Sequence, residues 1–169
     1  MQKRFVLLAA WGLAACGSST PATTVQTISD ADAKTKASAI VAGAQDTTIE
    51  RVAATADEPA LAVVKCKMPN GASINVELVE KDGSLQGIAS EVKPFDGYDL
   101  TPKEGVLKYS VAKSDALENK AGTVEAWEFS NPKSIWEFYI RDNNEHLWEV
   151  KLNAADGKLS SVIEKAVRD

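Results

Sequence analysis

Two stretches of this chain, offset by 72 to 74 residues, pass through the same order of local signals. Each starts with a helix-capping box, runs through a strand, breaks at a proline, makes a hairpin, turns at Asp-Gly and closes with a strand. Ser29 matches Thr101, Pro59 matches Pro132, Val76 matches Val150, and Asp82-Gly83 matches Asp156-Gly157. Chance does not hold one spacing through six elements, so the pattern reads as an internal duplication. Ser29 with Asp32 is the first capping box, and Thr101 with Glu104 the second, with Pro102 where a first helical turn tolerates it. Ala33, Ala37, Ile40, Val41 and Ala44 form a narrow stripe at helical spacing, with Gly43 as a stop. Val106, Leu107, Ser110 and Val111 give the corresponding spacing in the second half.

The strands are read from alternation and from their turns. Residues 62–68 and 73–80 flank Pro69-Asn70-Gly71-Ala72, where Asn-Gly marks a hairpin. Residues 135–141 and 146–152 flank Asp142-Asn143-Asn144-Glu145, a second hairpin. Strands are also expected over 48–55, 84–89, 122–129 and 158–163. In the run 62–68, Ala62, Val64, Cys66 and Met68 share one face while Lys65 and Lys67 share the other, so Cys66 is expected as a core thiol.

At this level each half resembles a PepSY domain, a small module of one helix on a short antiparallel sheet. The second half carries the likeness best, in Trp136 to Ile140, Leu147 to Leu152, and the closing Asn153-Ala154-Ala155-Asp156-Gly157-Lys158-Leu159, with Asn153 where that family has Asp. In the first half, Val79 to Leu85 keeps the glycine and the hydrophobic residue and loses the alanine. The β-lactamase-inhibitor-like architecture is of the same kind. The resemblance implies an α+β fold of two tandem repeats, each one helix packed on a short antiparallel sheet, over 28–92 and 93–169. It also implies a module that binds or restrains hydrolases.

The amino terminus follows the grammar of an export signal: Lys3 and Arg4, an apolar run over 5–13, then Ala14, Ala15 and Cys16. That run is too short to span a bilayer, which takes about 20 residues. Leu13-Ala14-Ala15-Cys16 resembles a lipobox, so residues 1–15 are expected to be removed and Cys16 to carry lipid. An ordinary signal peptide with a chance cysteine is the alternative. Gly17 follows, and in lipoproteins a residue other than Asp there favours delivery to the outer membrane. The stretch 17–27, GSSTPATTVQT, is composed like a flexible tether, making 16–27 lipidated cysteine plus linker. Loss of residues 1–15, which hold two bases and no acid, takes the net charge from −5 to −7.

That acidic balance argues against nucleic acid as a partner. With Cys16 acylated, Cys66 stands alone, so no internal disulfide is available. His146 is the one histidine, with no second histidine or cysteine pair to make a zinc cluster. No nucleophile elbow, phosphate loop or dinucleotide fingerprint occurs. The acids at Glu77/Glu80 and Glu125/Glu128 read as the solvated face of a sheet. No catalytic residue, metal or cofactor is therefore expected. Trp127, Trp136 and Trp148 all fall in the second half, with Phe129, Phe138 and Tyr139. Trp136 and Trp148 are read as core beneath the second helix or as part of a partner-anchoring patch, and Tyr139, on the polar face with Glu137 and Arg141, as a surface candidate. Trp136, Tyr139 and Trp148 are thus the candidate binding residues. The resulting expectation is a non-catalytic, protein-binding lipoprotein of the cell envelope, held by lipid on Cys16 at the outer membrane. Its partner is an envelope protein, with a peptidase or other hydrolase as the candidate target. An accessory part in an outer-membrane assembly complex is the alternative.

Overall fold

Eight strands follow one another in chain order through a single antiparallel sheet: β1 Asp46–Val52, β2 Leu61–Lys67, β3 Ser73–Val79, β4 Leu85–Val92, β5 Thr123–Ser130, β6 Ile135–Arg141, β7 Leu147–Asn153 and β8 Leu159–Lys165. Two helices, α1 Asp30–Ile40 and α2 Tyr109–Asn119, complete a mostly β structure. This computed structural model describes residues 27–92, 95 and 97–166. The signal segment, Cys16 and nearly all of the expected tether lie outside the described residues.

The expectation of an α+β fold of two tandem repeats, each one helix on its own short sheet, is overturned. β4 pairs with β5, from Gly87 opposite Ser130 to Ser90 opposite Trp127, so strands from both halves belong to one sheet. Two separate four-stranded sheets would leave four open edges, and joining them at β4 and β5 removes two. The core confirms the joining. One row of facing residues crosses the sheet through Cys66, Ile74, Ser90, Trp127, Phe138, Val150 and Val162. The next runs through Val64, Val76, Ile88, Phe129, Trp136 and Leu152. Both helices cover this same face, and a single apolar cluster joins α1, α2 and strands from both halves.

α1 starts where its capping box places it. Ser29 Oγ accepts from the Asp32 backbone N–H at 3.1 Å and donates to the Asp32 carboxylate at 2.6 Å. Ala33 and Ala37 are fully buried, and their small side chains let the helix lie close on β1 and β2. The second capping box does not act as one. α2 begins eight residues later than Thr101, with Lys108 at its N-cap making no side-chain bond. Gly105 takes a φ of +75°, a left-handed turn conformation that stops helix growth from Thr101. Asp99 instead ties down the start of α2, accepting from the Ser110 N–H at 3.0 Å and hydroxyl at 2.8 Å. The helix therefore buries Tyr109, Ala112 and Ala116, and Val111 is left 44% exposed.

Cys66 sits in the core, as alternation required, and burial pushes its thiol up to about 11. Thiolate is the reactive form. At pH 8 the folded protein is expected to leave Cys66 unmodified by iodoacetamide, and urea should restore full alkylation, read by intact mass. Rapid modification without denaturant would place Cys66 outside the core.

Candidate functional site

The opposite face of the sheet has no helix over it among the described residues. Its side chains form rows of their own: Lys65, Asn75, Ala89, Glu128, Glu137, Lys151 and Ser161 in one, and Glu50, Val63, Glu77, Gly87, Ser130 and Ile135 in the next. These are the outward positions of strands whose alternate residues fill the core, so the polarity of the face follows directly from the period of two.

Over β6, β7 and β8 the charges on this face are closed into a ladder. Tyr139 Oη donates to Glu137 at 2.6 Å. The Lys151 ammonium stands 2.9 Å from Glu137 and 3.1 Å from Glu149, and Lys165 stands 3.3 Å from Glu149. Glu149 is only 2% exposed. Burial alone would raise its pKa, yet the hydrogen bonds and charges of Lys151 and Lys165 hold it below the ordinary glutamate value.

At the β4–β5 junction the arrangement differs. A cleft of about 600 Å³ opens there, lined by Pro59, Leu61, Glu77, Gly87, Glu128 and Pro132 among others. Gly87 makes the room: a Cβ at that position would lie 3.0 Å from Glu77 Oε2 and 3.2 Å from the Phe129 carbonyl oxygen. The missing side chain lets the Glu77 carboxylate lie over β4. Glu128, half-buried on the other side of β4, has no ion-pair partner within reach among the described residues. Burial, then the carboxylates of Glu137 and Glu77, hold its pKa above the usual range, against a weaker pull from Lys133 and Lys151. The junction thus concentrates negative charge in a recess with an apolar rim.

The aromatic candidates are distributed rather than gathered. Trp136 is fully buried on the helix-covered face and donates its indole N–H to the Leu107 carbonyl at 3.3 Å. Tyr139 lies on the other face, 6% exposed, with its hydroxyl committed to Glu137. Trp148 is half-buried at the far end of the β6–β7 hairpin. Its indole N–H donates to Asp142 at 2.9 Å, and the Lys120 ammonium sits 3.7 Å from the ring centroid. Asp142 also pairs with Lys120 at 3.0 Å and accepts from the Asn144 and His146 backbone N–H groups. Burial would raise the Asp142 pKa, but these partners hold it well below the usual carboxylate range. Trp148 is therefore part of a latch between the end of α2 and the hairpin. His146 lies half-exposed at the mouth of β7, 3.5 Å from Glu164.

No protein-family model matches this chain. The curated proteins contain no match either. Among solved structures the chain is similar to the crystal structure of a predicted lipoprotein from Clostridium difficile 630, at 14% identity and a TM-score of 0.36, over 78% of this chain and 87% of that one. A likeness of that size bears on neither fold nor function.

The cleft was not visible in the sequence because its acids are distant along the chain. Glu77 and Glu80 are neighbours in sequence, as are Glu125 and Glu128, yet Glu80 pairs with Arg51 at 3.1 Å and Glu125 with Arg141 at 2.5 Å. Glu77 and Glu128 instead come near each other across β4. The available signal was the pair of small residues at outward positions of β4, Gly87 and Ala89, which leave a trough between longer neighbours.

Proposed function

We propose that this chain is a lipid-anchored lipoprotein of the cell envelope whose domain binds a protein partner without catalysing a reaction. The observation that carries the binding reading is the helix-free face: a polar sheet surface with a recess at its centre, built from strands of both halves. The signal grammar and Cys16 support the anchor. No helix among the described residues is long and apolar enough to cross a membrane. The form of binding we propose is restraint of a peptidase or another hydrolase, at the outer membrane.

Affinity capture from envelope extract, with residues 17–169 as bait, tests this reading. It is expected to recover a hydrolase whose activity falls when the bait is added. A hydrolase recovered at full activity, or no protein above the control, would overturn the restraint. A second reading, an accessory part in an outer-membrane assembly complex, is favoured by the open edge at β8, where Leu159 and Ile163 are 48% and 49% exposed. Recovery of assembly components instead would select it.

A further inference from the structure

Three turns of the sheet share one construction: an acid or its amide, then a glycine, with the side-chain Oδ1 accepting the backbone N–H two residues on. Asn70 accepts from Ala72 at 2.9 Å, Asp82 from Ser84 at 2.8 Å and Asp156 from Lys158 at 3.2 Å. In each, the glycine N–H donates to a carbonyl behind it: Gly71 to Met68 at 2.9 Å, Gly83 to Val79 at 2.7 Å and Gly157 to Asn153 at 2.9 Å. The glycines take φ values of +83°, +67° and +70°. The first turn differs in carrying an amide. We propose that Asn70 is a site of spontaneous deamidation, at which the folded chain converts itself, through a cyclic imide with Gly71, to aspartate or isoaspartate.

The Gly71 nitrogen gives its proton to solvent and attacks the Asn70 Cγ. A C–N bond forms to Gly71, the bond from Cγ to Nδ2 breaks, and ammonia leaves with a proton taken from water. Water then opens the imide at either carbonyl, giving aspartate or, with the backbone rerouted through the side chain, isoaspartate. The turn assists the first step. Gly71 has no Cβ to block the approach. The bond from the Ala72 N–H holds the Asn70 side chain over the turn, draws electrons from its carbonyl carbon, and is placed to stabilise the oxyanion that forms as the nitrogen adds. Asn70 is exposed, so water and base reach it. The two sibling turns do not react in this way, because an ionised carboxylate repels the nucleophile and has no neutral leaving group. The side chains and N–H groups of Ser84 and Lys158 hold Asp82 and Asp156 below the usual carboxylate range. Asn75 lies within β3, buried and followed by the β-branched Val76, and Asn70 is the one asparagine of the chain followed by glycine.

The test ages the folded protein at pH 8 in water enriched in oxygen-18, beside a sample held in urea. Trypsin then releases residues 68–81 as one peptide, which carries both Asn70 and Asn75, and fragmentation places the label. Label is expected at Asn70 and not at Asn75. The folded rate should be slower than the rate in urea by up to about tenfold, since the Gly71 N–H must first leave the Met68 carbonyl. Asn70→Asp should melt with the wild type, because Asp82 and Asp156 close the same turn. The aged, more acidic fraction, separated by anion exchange, should melt lower. The extra backbone carbon of isoaspartate disrupts the 2.8 Å bond from the Met68 N–H to the Ala72 carbonyl, which seats two buried residues. No label at Asn70 in the folded chain by the time the sample in urea has fully converted would overturn the site. Labelling of Asn75 as fast as Asn70 would overturn it equally.

Discussion

Trp136→Ala is expected to cost about 3–5 kcal/mol, the usual penalty for emptying a large aromatic site in a core. Trp136 is fully buried, and its ring meets Phe129 at a centroid distance of 5.2 Å, Trp127 at 5.8 Å, Phe138 at 6.0 Å and Tyr109 at 6.3 Å. Deleting it opens a void in the middle of that cluster and leaves the Leu107 carbonyl without the indole donor. Leu107 also donates its N–H to the Ala154 carbonyl at 2.8 Å, so the segment leading into α2 loses one of the bonds that fasten it to the sheet side of the domain. Domains of this size are stable by about 5–15 kcal/mol, so the variant should unfold at markedly lower urea. Far-ultraviolet circular dichroism is the proper readout, since the substitution removes a fluorophore. Trp148→Ala, at a half-buried position held by Asp142 and Lys120, should cost less. A Trp136→Ala midpoint close to wild type, with Trp148→Ala the more damaging, would reverse the assignment of core and periphery.

The same residues show what the sequence could and could not convey. The strand over 135–141 was legible because Trp136, Phe138 and Ile140 alternate with Glu137, Tyr139 and Arg141, and strand propensity there is strong. The β2–β3 hairpin was legible because Asn70-Gly71 marks a turn, and Gly71 there takes a φ of +83° that few other residues accept. Ser29 and Asp32 mark their helix start because a capping box is local by nature. Thr101 and Glu104 carry the same letters yet cap nothing, since Gly105 turns the chain and Asp99 supplies the bond. The decisive event in the fold is the pairing of Gly87–Ser90 with Trp127–Ser130, across nearly forty residues of chain. Nothing in either segment names the other. An edge strand and a central strand with the same alternation read alike, so the duplication suggested two sheets where one was built. The cleft inherits that blindness, because Glu77, Gly87 and Glu128 become neighbours only through the same pairing.

Glu149→Gln is expected to remove about 1–3 kcal/mol at pH 7, within the range for a buried carboxylate bonded to charged donors. The carboxylate is almost wholly buried between Lys151 and Lys165, at 3.1 and 3.3 Å. The amide keeps the shape and forfeits the charge. The lysines are partly exposed and Lys151 keeps Glu137, which places the loss below that for stranding a fully buried ion. The dependence on pH gives the sharper test. Folding lowers the pKa of Glu149 from its ordinary value of about 4.5, so the folded state holds fewer protons at this site than the unfolded chain. Its contribution is therefore complete above that value and is lost as pH falls below it, through the lowered folded value. Wild type and Glu149→Gln should differ by a constant amount from pH 8 to about pH 5.5 and converge on further acidification, measured as urea midpoints at each pH. Parallel profiles down to pH 3 would mean that Glu149 draws no net stability from its lysines. The ladder over β6, β7 and β8 would then be a surface arrangement rather than the polar support of the face that carries the cleft.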